Sequence, residues 1–336
     1  VLLMNDSFPP TIDGVANVAC NYAKILTGHN HTVTVATPYY PDAIDDYPFE
    51  VLRYGSLDTT QQVGYRTGNP FDPAITDALI SRKPDFIHVH CPIVSLYYAR
   101  MLREQLHIPI ILTYHTKYDI DFEKALSLTV LQNAAKSLLI DNIKTCDAVW
   151  AVSEGAKENL RQLGYDGPVD VVCNGVDFEK GRATNEQIVQ LKQKLHINEE
   201  FVFLFVGRMM WYKGTRLILD ALKETTMTDY KMIFVGDGLD RKEMEEVTKE
   251  YNLQDHVIFT GAIKDREELK IYYSLANVFV FPSTFDTNGL VVSEAAACSL
   301  GSILIKDSCA AERVTDKQNG YLCEENADSL RQMMEY

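Results

Sequence analysis

The stretch FVFLFVGRMMWYKG at positions 201–214 decides how the second half of the chain folds. Its first six residues are all aromatic, β-branched or leucine, which predicts a strand buried on both faces. The glycine that follows predicts a tight turn, and Lys213 with Gly214 should open the next helix. A strand, a glycine turn and a helix in this order form the unit from which parallel sheets are built.

Apolar runs that alternate with helical patterns extend this unit over the whole chain. A first series of predicted strands lies at residues 1–5, 31–37, 85–90, 109–114, 147–152 and 169–173. A second series starts afresh at 201–207 and continues at 231–236, 256–261, 277–283 and 302–305. We therefore predict an α/β protein of two doubly wound, Rossmann-like parallel-sheet domains, 1–174 and 175–336, divided at the Asn174-Gly175 turn.

Composition and charge argue against several classes of function. The 336 residues carry a formal net charge of −15, which should repel nucleic acid and anionic lipid headgroups. No apolar stretch approaches the roughly 20 residues that span a bilayer, and the chain opens on VLLMN without a charged leader. The seven cysteines contain no C-x-x-C pair and indicate reduced thiols. We expect a cytoplasmic protein with no nucleic-acid partner and at most peripheral membrane contact.

Two basic residues follow the strand at 201–207. Ligands of open α/β sheets bind beyond the carboxyl ends of the strands, so two such sheets predict a ligand cleft between the domains. Arg208 and Lys213 stand at such a strand end, next to a helix start. Two fixed cations and helix N–H donors are what a diphosphate needs while its bond to a sugar breaks. The alternative is an exposed arginine and lysine that flank a loop.

Two acidic residues follow a later strand. Asp286 lies in the loop of FPSTFDTNGL, residues 281–290, and Glu294 lies eight positions further on, early in the next predicted helix. Carboxylates accept hydrogen bonds from the hydroxyls of a sugar and a ribose, and the helix start suits phosphate. The alternative is that Asp286 caps its loop or helix and Glu294 complements the helix dipole.

The combination of these segments resembles the retaining glycosyltransferases of family 4. The pattern G-R-x4-K-G at 207–214 is followed by an acidic residue, seven others and a glutamate at 286–294. The resemblance implies the GT-B architecture, with an acceptor-binding N-terminal domain and a donor-binding C-terminal domain that face a cleft. Further matching segments run over nearly the whole chain: Gly14, Tyr114-His115-Thr116, Ala151-Val152-Ser153, Asn174-Gly175-Val176-Asp177, Gly236-Asp237-Gly238 and Asn319-Gly320-Tyr321-Leu322.

The resemblance also implies roles for single residues. Arg208 and Lys213 would bind the donor diphosphate, and Glu294 would hold the ribose. Asp286, where the family usually has glutamate, would contact the sugar hydroxyls, and His115 would lie near the donor's primary hydroxyl and the reacting centre. The other residues expected to bind the donor act largely through their backbone: Gly14, Gly238, Ile263 in the loop over the base, Asn288, Gly289 and Leu290.

The implied reaction moves a hexose from a nucleoside diphosphate sugar, expected to be a UDP-sugar, to a hydroxyl of a lipid, glycan or small molecule with retention. No enzyme nucleophile is evident, and neither a metal nor any cofactor besides the donor is expected. The segments at 113–116 and 287–290 resemble bacterial glycolipid synthases of the cell envelope. A non-catalytic nucleotide-sugar binder and a nucleotide-sugar epimerase of the same architecture stay open. Similar proteins continue into a C-terminal crossover helix, which we expect to be missing because the sequence ends at 331–336.

Three other patterns are weaker. The Asp119-Ile120-Asp121 stretch spells a D-x-D metal motif, but of glycosyltransferases with a different fold. His88 and His90 place two imidazoles on one face of a strand, beside Cys91, but no distant cluster of ligands completes a tetrahedral zinc site. We interpret them as a strand end that faces the cleft. The apolar pattern at 122–145 favours core packing over membrane contact.

Overall fold

The computed structural model describes residues 1–11, 13–60, 66–118, 122 and 128–336. The chain divides into two compact units, Val1–Asn174 and Gly175–Tyr336. Each unit holds a sheet whose strands are all parallel. The predicted α/β fold with two parallel-sheet domains is therefore confirmed.

Unit 1 is built on a seven-stranded sheet of order β3-β2-β1-β6-β7-β8-β9. The order reverses beside β1, so its crossover connections place helices on both faces. The elements are β1 (Leu2–Met4), α1 (Gly14–Gly28), β2 (Thr34–Pro38), β3 (Glu50–Tyr54), the short antiparallel pair β4 (Ser56–Leu57) and β5 (Thr67–Gly68), α2 (Pro73–Ser81), β6 (Ile87–Val89), α3 (Val94–Leu106), β7 (Ile110–Tyr114), α4 (Thr129–Ile143), β8 (Ala148–Ala151), α5 (Glu154–Gln162) and β9 (Asp170–Val171).

Unit 2 is built on a six-stranded sheet of order β12-β11-β10-β13-β14-β15. Its order reverses beside β10, the strand of the FVFLFVG stretch. The elements are α6 (Asn185–Lys194), β10 (Phe201–Val206), a 3-10 turn (Trp211–Lys213), α7 (Thr215–Lys223), β11 (Tyr230–Val235), α8 (Arg241–Glu250), β12 (Val257–Gly261), α9 (Arg266–Leu275), β13 (Val278–Phe281), α10 (Leu290–Ala297), β14 (Ser302–Ile305), a second 3-10 turn (Cys309–Ala311), β15 (Gly320–Cys323) and α11 (Ala327–Glu335).

An aromatic layer anchors the core of unit 2. The ring of Phe205 lies 5.7 Å from those of Phe234 on β11 and Phe281 on β13, and Phe279 lies 5.8 Å from Phe281. All four side chains are fully buried. Aromatic residues at alternate positions of β10 and β13 thus explain why this stretch forms the centre of the sheet.

Two strands of the main sheets were missing from the sequence prediction. β3 and β15 are both edge strands, each paired with one neighbour. β3 carries the charged residues Glu50 and Arg53, so it lacks the continuous apolar run that marks central strands. β15 has only four residues and begins with Gly320, so its apolar run is too short to be recognised.

The expectation of core packing at 122–145 holds for one face of α4 only. Leu139, Ile140 and Ile143 are buried, whereas an opposite set of apolar side chains is exposed: Leu128, Val130, Leu131 and Leu138. Among the residues that the structure describes, no helix combines the length and the apolar character needed to cross a bilayer. The Asp119-Ile120-Asp121 stretch lies outside the described residues.

Replacing Phe234 with alanine should lower the free energy of unfolding of unit 2 by about 3–5 kcal/mol, because it leaves a cavity in the aromatic layer. The measurement is urea unfolding followed by the fluorescence of Trp211 in a Trp150→Phe background. Phe201→Ala, at an exposed position of β10, is the control and should cost less than about 1 kcal/mol. Equal costs for the two variants would contradict this account of the core.

Candidate active site

Lys213 is held at the carboxyl edge of the unit 2 sheet by the glycine that follows it. Gly214 has a φ of 77°, and a Cβ atom there would lie 2.3 Å from the carbonyl oxygen of Pro282. Glycine therefore lets the turn after β10 press against the end of β13. The Lys213 side chain is consequently drawn inward and the residue is only 8% exposed.

The buried lysine binds the acidic residue of the neighbouring loop. Lys213 Nζ lies 2.6 Å from Asp286 Oδ1, and Ser283 Oγ donates to Asp286 Oδ2 at 2.5 Å. The rings of Tyr212 and Phe285 flank the ammonium, with centroids 5.7 and 5.6 Å from Nζ. An ammonium has three donor hydrogens, so Lys213 can bind Asp286 and still donate to an anion.

The loops after β10 and β11 pack against each other through glycines. A Cβ atom at Gly236 would lie 1.9 Å from the carbonyl oxygen of Gly207, and one at Gly238 would lie 2.4 Å from that of Met209. Gly238, which is predicted to bind the sugar donor, is therefore also required to be glycine by the packing of these loops. Arg208 lies between these contacts with its side chain exposed at the strand end.

Glu294 lies on α10 and is only 6% exposed. Its Oε1 accepts a hydrogen bond from Arg266 Nη2 at 2.9 Å, and its Oε2 accepts one from Tyr273 OH at 2.8 Å. Burial raises the pKa of Tyr273 well above its usual value, and the Glu294 carboxylate raises it further, so the phenol stays a donor. Sequence reasoning missed Arg266, Tyr273 and Ser283.

The residues before Glu294 form the start of α10. Gly289 has a φ of 63°, and a Cβ atom there would meet that of Ala310 at 2.9 Å. Asn288 and Leu290 are half-buried on either side of it. Ile263, after β12, is half-buried against the unit 2 core. All residues of unit 2 that are predicted to bind the nucleotide-sugar donor thus follow the carboxyl ends of β10, β11, β12 or β13.

Three histidines form a buried cluster in unit 1. His90 Nδ1 lies 3.0 Å from His115 Nε2, and His88 Nε2 lies 2.8 Å from Thr113 Oγ1. Burial lowers the pKa of His88 to about 4, and burial together with the neighbouring His88 lowers that of His115 to about 3. Burial also lowers the pKa of His90 well below its usual value. The cluster is therefore neutral near pH 7.

Gly14 and Cys91 are the other residues of unit 1 that the sequence analysis singled out. Gly14 is the exposed first residue of α1, after the N-cap Asp13, whose Oδ1 accepts from Ala16 N at 2.7 Å. Cys91 Sγ contacts the hydroxyl of Tyr118 at 3.3 Å. Over the described ranges, no group of three or more histidine, cysteine or acidic side chains could hold a metal ion.

Two families match the chain in tandem. Residues 12–180 match Glycosyltransferase Family 4, and residues 187–336 match Glycosyl transferases group 1. The chain belongs to glycosyltransferase family 4. Its two parallel-sheet units give it the GT-B fold, and the family match with the named relatives supports a hexosyltransferase.

Curated relatives span nearly the whole chain. The alpha-monoglucosyldiacylglycerol synthase of Acholeplasma laidlawii is 26% identical over 99% of this chain and 86% of its own length. A GDP-mannose-dependent alpha-mannosyltransferase of Corynebacterium glutamicum is 26% identical over 96% of this chain and 76% of its own length. The family thus includes transferases of different sugars at the same level of similarity.

Solved structures share the fold. Anabaena Alr3699/HepE, crystallised with UDP, superposes with a TM-score of 0.79 at 19% identity, covering 99% of this chain and 88% of that one. Sucrose-phosphate synthase from Thermosynechococcus elongatus gives a TM-score of 0.76 at 22% identity, over 99% of this chain and 88% of that one. These likenesses establish the architecture.

The buried histidines should make unit 1 lose stability as the pH falls. The unfolded chain takes up protons near the ordinary histidine pKa of about 6.5, whereas folded His88 resists protonation down to about pH 4. Stability should therefore decline from about pH 6.5 towards pH 4, by about 1.4 kcal/mol per pH unit for each such histidine.

The measurement is unfolding at several pH values, followed by Trp150 fluorescence in a Trp211→Phe background. His88→Gln keeps an amide that can donate to Thr113 and removes one titrating group. It should therefore reduce the slope of unfolding free energy against pH by about 1.4 kcal/mol per pH unit. His31→Gln, at an exposed position, is the control and should leave the slope unchanged. A slope that His88→Gln does not alter would refute the assignment.

Proposed function

We propose that this chain transfers a hexose, with retention at the anomeric carbon, from a nucleoside diphosphate sugar, preferably a UDP-hexose, to an acceptor hydroxyl. The observation that carries the proposal is the nearly buried ammonium of Lys213, 2.6 Å from Asp286 at the carboxyl edge of the unit 2 sheet. A lysine is rarely buried unless it has a charge to bind. Unit 2 would bind the donor, and unit 1 would bind the acceptor.

The diphosphate end of the donor would be bound by cations and helix starts. Lys213 directs its remaining N–H groups to the phosphate, and exposed Arg208 supplies a second positive charge. The backbone N–H groups at the start of α7, after Gly214, add neutral donors. These groups stabilise the negative charge that develops as the bond to the sugar breaks. The leaving phosphate oxygen then assists removal of the acceptor proton.

The carboxylates would bind hydroxyl groups. Asp286, with Lys213 and Ser283 fixing its orientation, would accept hydrogen bonds from the sugar, and Glu294 would accept them from the ribose. His115, neutral and buried, would act at the sugar end. A neutral imidazole can donate or accept without adding charge beside the anomeric carbon.

A lipid is the acceptor class we favour. The Acholeplasma laidlawii relative is named for a product built on diacylglycerol. The exposed apolar side chains of α4 and the residue before it, among them Val130 at 79% exposure, provide a surface that suits acyl chains. We therefore propose that unit 1 contacts a membrane peripherally from the cytoplasmic side.

Lys213→Met should lower the turnover number by about 10²–10³-fold, because it removes a preorganised cation from the diphosphate at similar side-chain volume. The assay is release of nucleoside diphosphate with UDP-glucose or GDP-mannose as donor and diacylglycerol as acceptor. Donors are first ranked by the thermal stabilisation that they confer. Lys231→Met is the matched control, since Lys231 is half-buried and paired with Glu200, but near the start of β11 at the opposite edge.

Unchanged turnover in Lys213→Met would overturn the proposed mechanism. Donor binding with no release of nucleoside diphosphate under any condition would identify a binding protein. Conversion of the donor sugar without acceptor would identify an epimerase. Nucleoside diphosphate that forms only when acceptor is present excludes both.

The triple change Leu128→Ser, Leu131→Ser and Leu138→Ser should lower transfer to diacylglycerol in phosphatidylcholine vesicles by about tenfold, since it removes apolar area that would enter the bilayer surface. Transfer to a water-soluble short-chain diacylglycerol should stay unchanged. Val189→Ser, which removes an exposed apolar residue from α6 of unit 2, is the control. Equal losses with both acceptors would count against the membrane surface.

A further inference from the structure

Arg266 joins the buried glutamate to the segment that opens unit 2. It is the first residue of α9, and its Nη2 donates to Glu294 Oε1 at 2.9 Å and also to Asp177 Oδ1. Its Cζ lies 4.1 Å from the centroid of the Phe178 ring. One terminal nitrogen thus bridges two carboxylates while the guanidinium plane lies against an aromatic ring, which restricts where it can move.

The glutamate is fixed at both of its oxygens. Tyr273 OH, fully buried, donates to Oε2 at 2.8 Å, and its ring meets that of Phe178 edge-on at 5.7 Å. Each carboxylate oxygen has two lone pairs, so Arg266 and Tyr273 use one on each. One lone pair on each oxygen is therefore left to accept a further hydrogen bond.

The segment that holds Asp177 is itself docked on the helices of the site. Gly181 N donates to Ala297 O at 2.9 Å on α10, and Ala183 N donates to Ser274 Oγ at 2.8 Å on α9. Arg182 also donates to the carbonyl of Ser274. The segment that follows Asp177 is thus fixed on α9 and α10, and Asp177 accepts from the same nitrogen of Arg266 as Glu294 does.

We propose that Arg266 is a positioning residue that orients Glu294 towards the two hydroxyls of the donor ribose, with Asp177 holding Arg266 in place. This inference rests on the proposed function, in which Glu294 binds the ribose. Neither Arg266 nor Asp177 need touch the donor. Their contribution is to prevent the carboxylate from turning, so that both of its free lone pairs face the same ligand group.

The test compares two ligands that differ only in the ribose hydroxyls. Dissociation constants are measured by calorimetry for UDP and 2′,3′-dideoxy-UDP, or for the GDP pair if GDP-mannose ranks first as donor. Arg266→Gln should weaken binding of the full nucleotide by about tenfold, as expected when a hydrogen bond to a charged group loses its geometry. Binding of the dideoxy analogue should change less than about twofold, because it makes no ribose hydrogen bond.

Two milder variants guard against a folding defect in Arg266→Gln. Arg266→Lys keeps the charge without the planar fork, and Asp177→Asn loosens Arg266 without touching Glu294. Each should weaken the binding of the full nucleotide by about threefold and leave the binding of the dideoxy analogue unchanged. The control is Arg331→Gln, because Arg331 also contacts two carboxylates, Glu335 at 2.8 Å and Asp328 at 3.7 Å, but on the C-terminal helix. It should alter neither constant.

The outcomes separate this inference from the proposed function. Equal weakening of both ligands, or none, in the Arg266 and Asp177 variants overturns the positioning role and leaves the proposed donor site standing. Equal affinity of the unchanged protein for both ligands overturns the ribose role of Glu294 and this inference with it. Binding of no nucleoside diphosphate by the unchanged protein overturns the proposed function itself.

Discussion

The contact between Lys213 and Asp286 is the constraint on which the loops at the carboxyl edge of the unit 2 sheet depend. A buried ammonium costs several kcal/mol unless a carboxylate compensates it, so the loops after β10 and β13 must stay together to compensate the charge of Lys213. The missing side chain of Gly214 permits that approach, and the aromatic layer beneath fixes the two strands side by side. The electrostatic requirement of the site and the packing of the core therefore specify the same arrangement.

Unit 2 holds its two key carboxylates in the same way. Asp286 is bound by an ammonium and a serine hydroxyl, and Glu294 by a guanidinium and a tyrosine hydroxyl. In each case the cation offsets the charge while the neutral donor fixes the second oxygen. Such paired restraint leaves both carboxylates oriented acceptors, which suits ligands that present several hydroxyl groups.

The sequence predicted the central strands and several site residues, but not the contacts between residues that are far apart in the chain. Central strands were recognisable because burial on both faces demands continuous apolar runs. The edge strand β3 is interrupted by charged residues, and the edge strand β15 is only four residues long and begins with glycine. Lys213 and Asp286 were each identified from their strand-end positions, but their contact spans 73 positions and depends on a backbone approach that no spacing encodes. The sequence gives no signal for Arg266, because REELK at 266–270 has the composition of an ordinary exposed helix start. The roles of the predicted residues in binding stay predictions.

The approach of Gly236 to the carbonyl of Gly207 has a consequence for mutational scanning. Even a methyl group at residue 236 would force the loops after β10 and β11 apart, and with them the backbone that carries Arg208. A scan that replaces each residue with alanine would score Gly236 among the functional positions, although it has no side chain that could contact a ligand. The close packing of the loops after β10 and β11 therefore depends on the absence of side chains at Gly236 and Gly238.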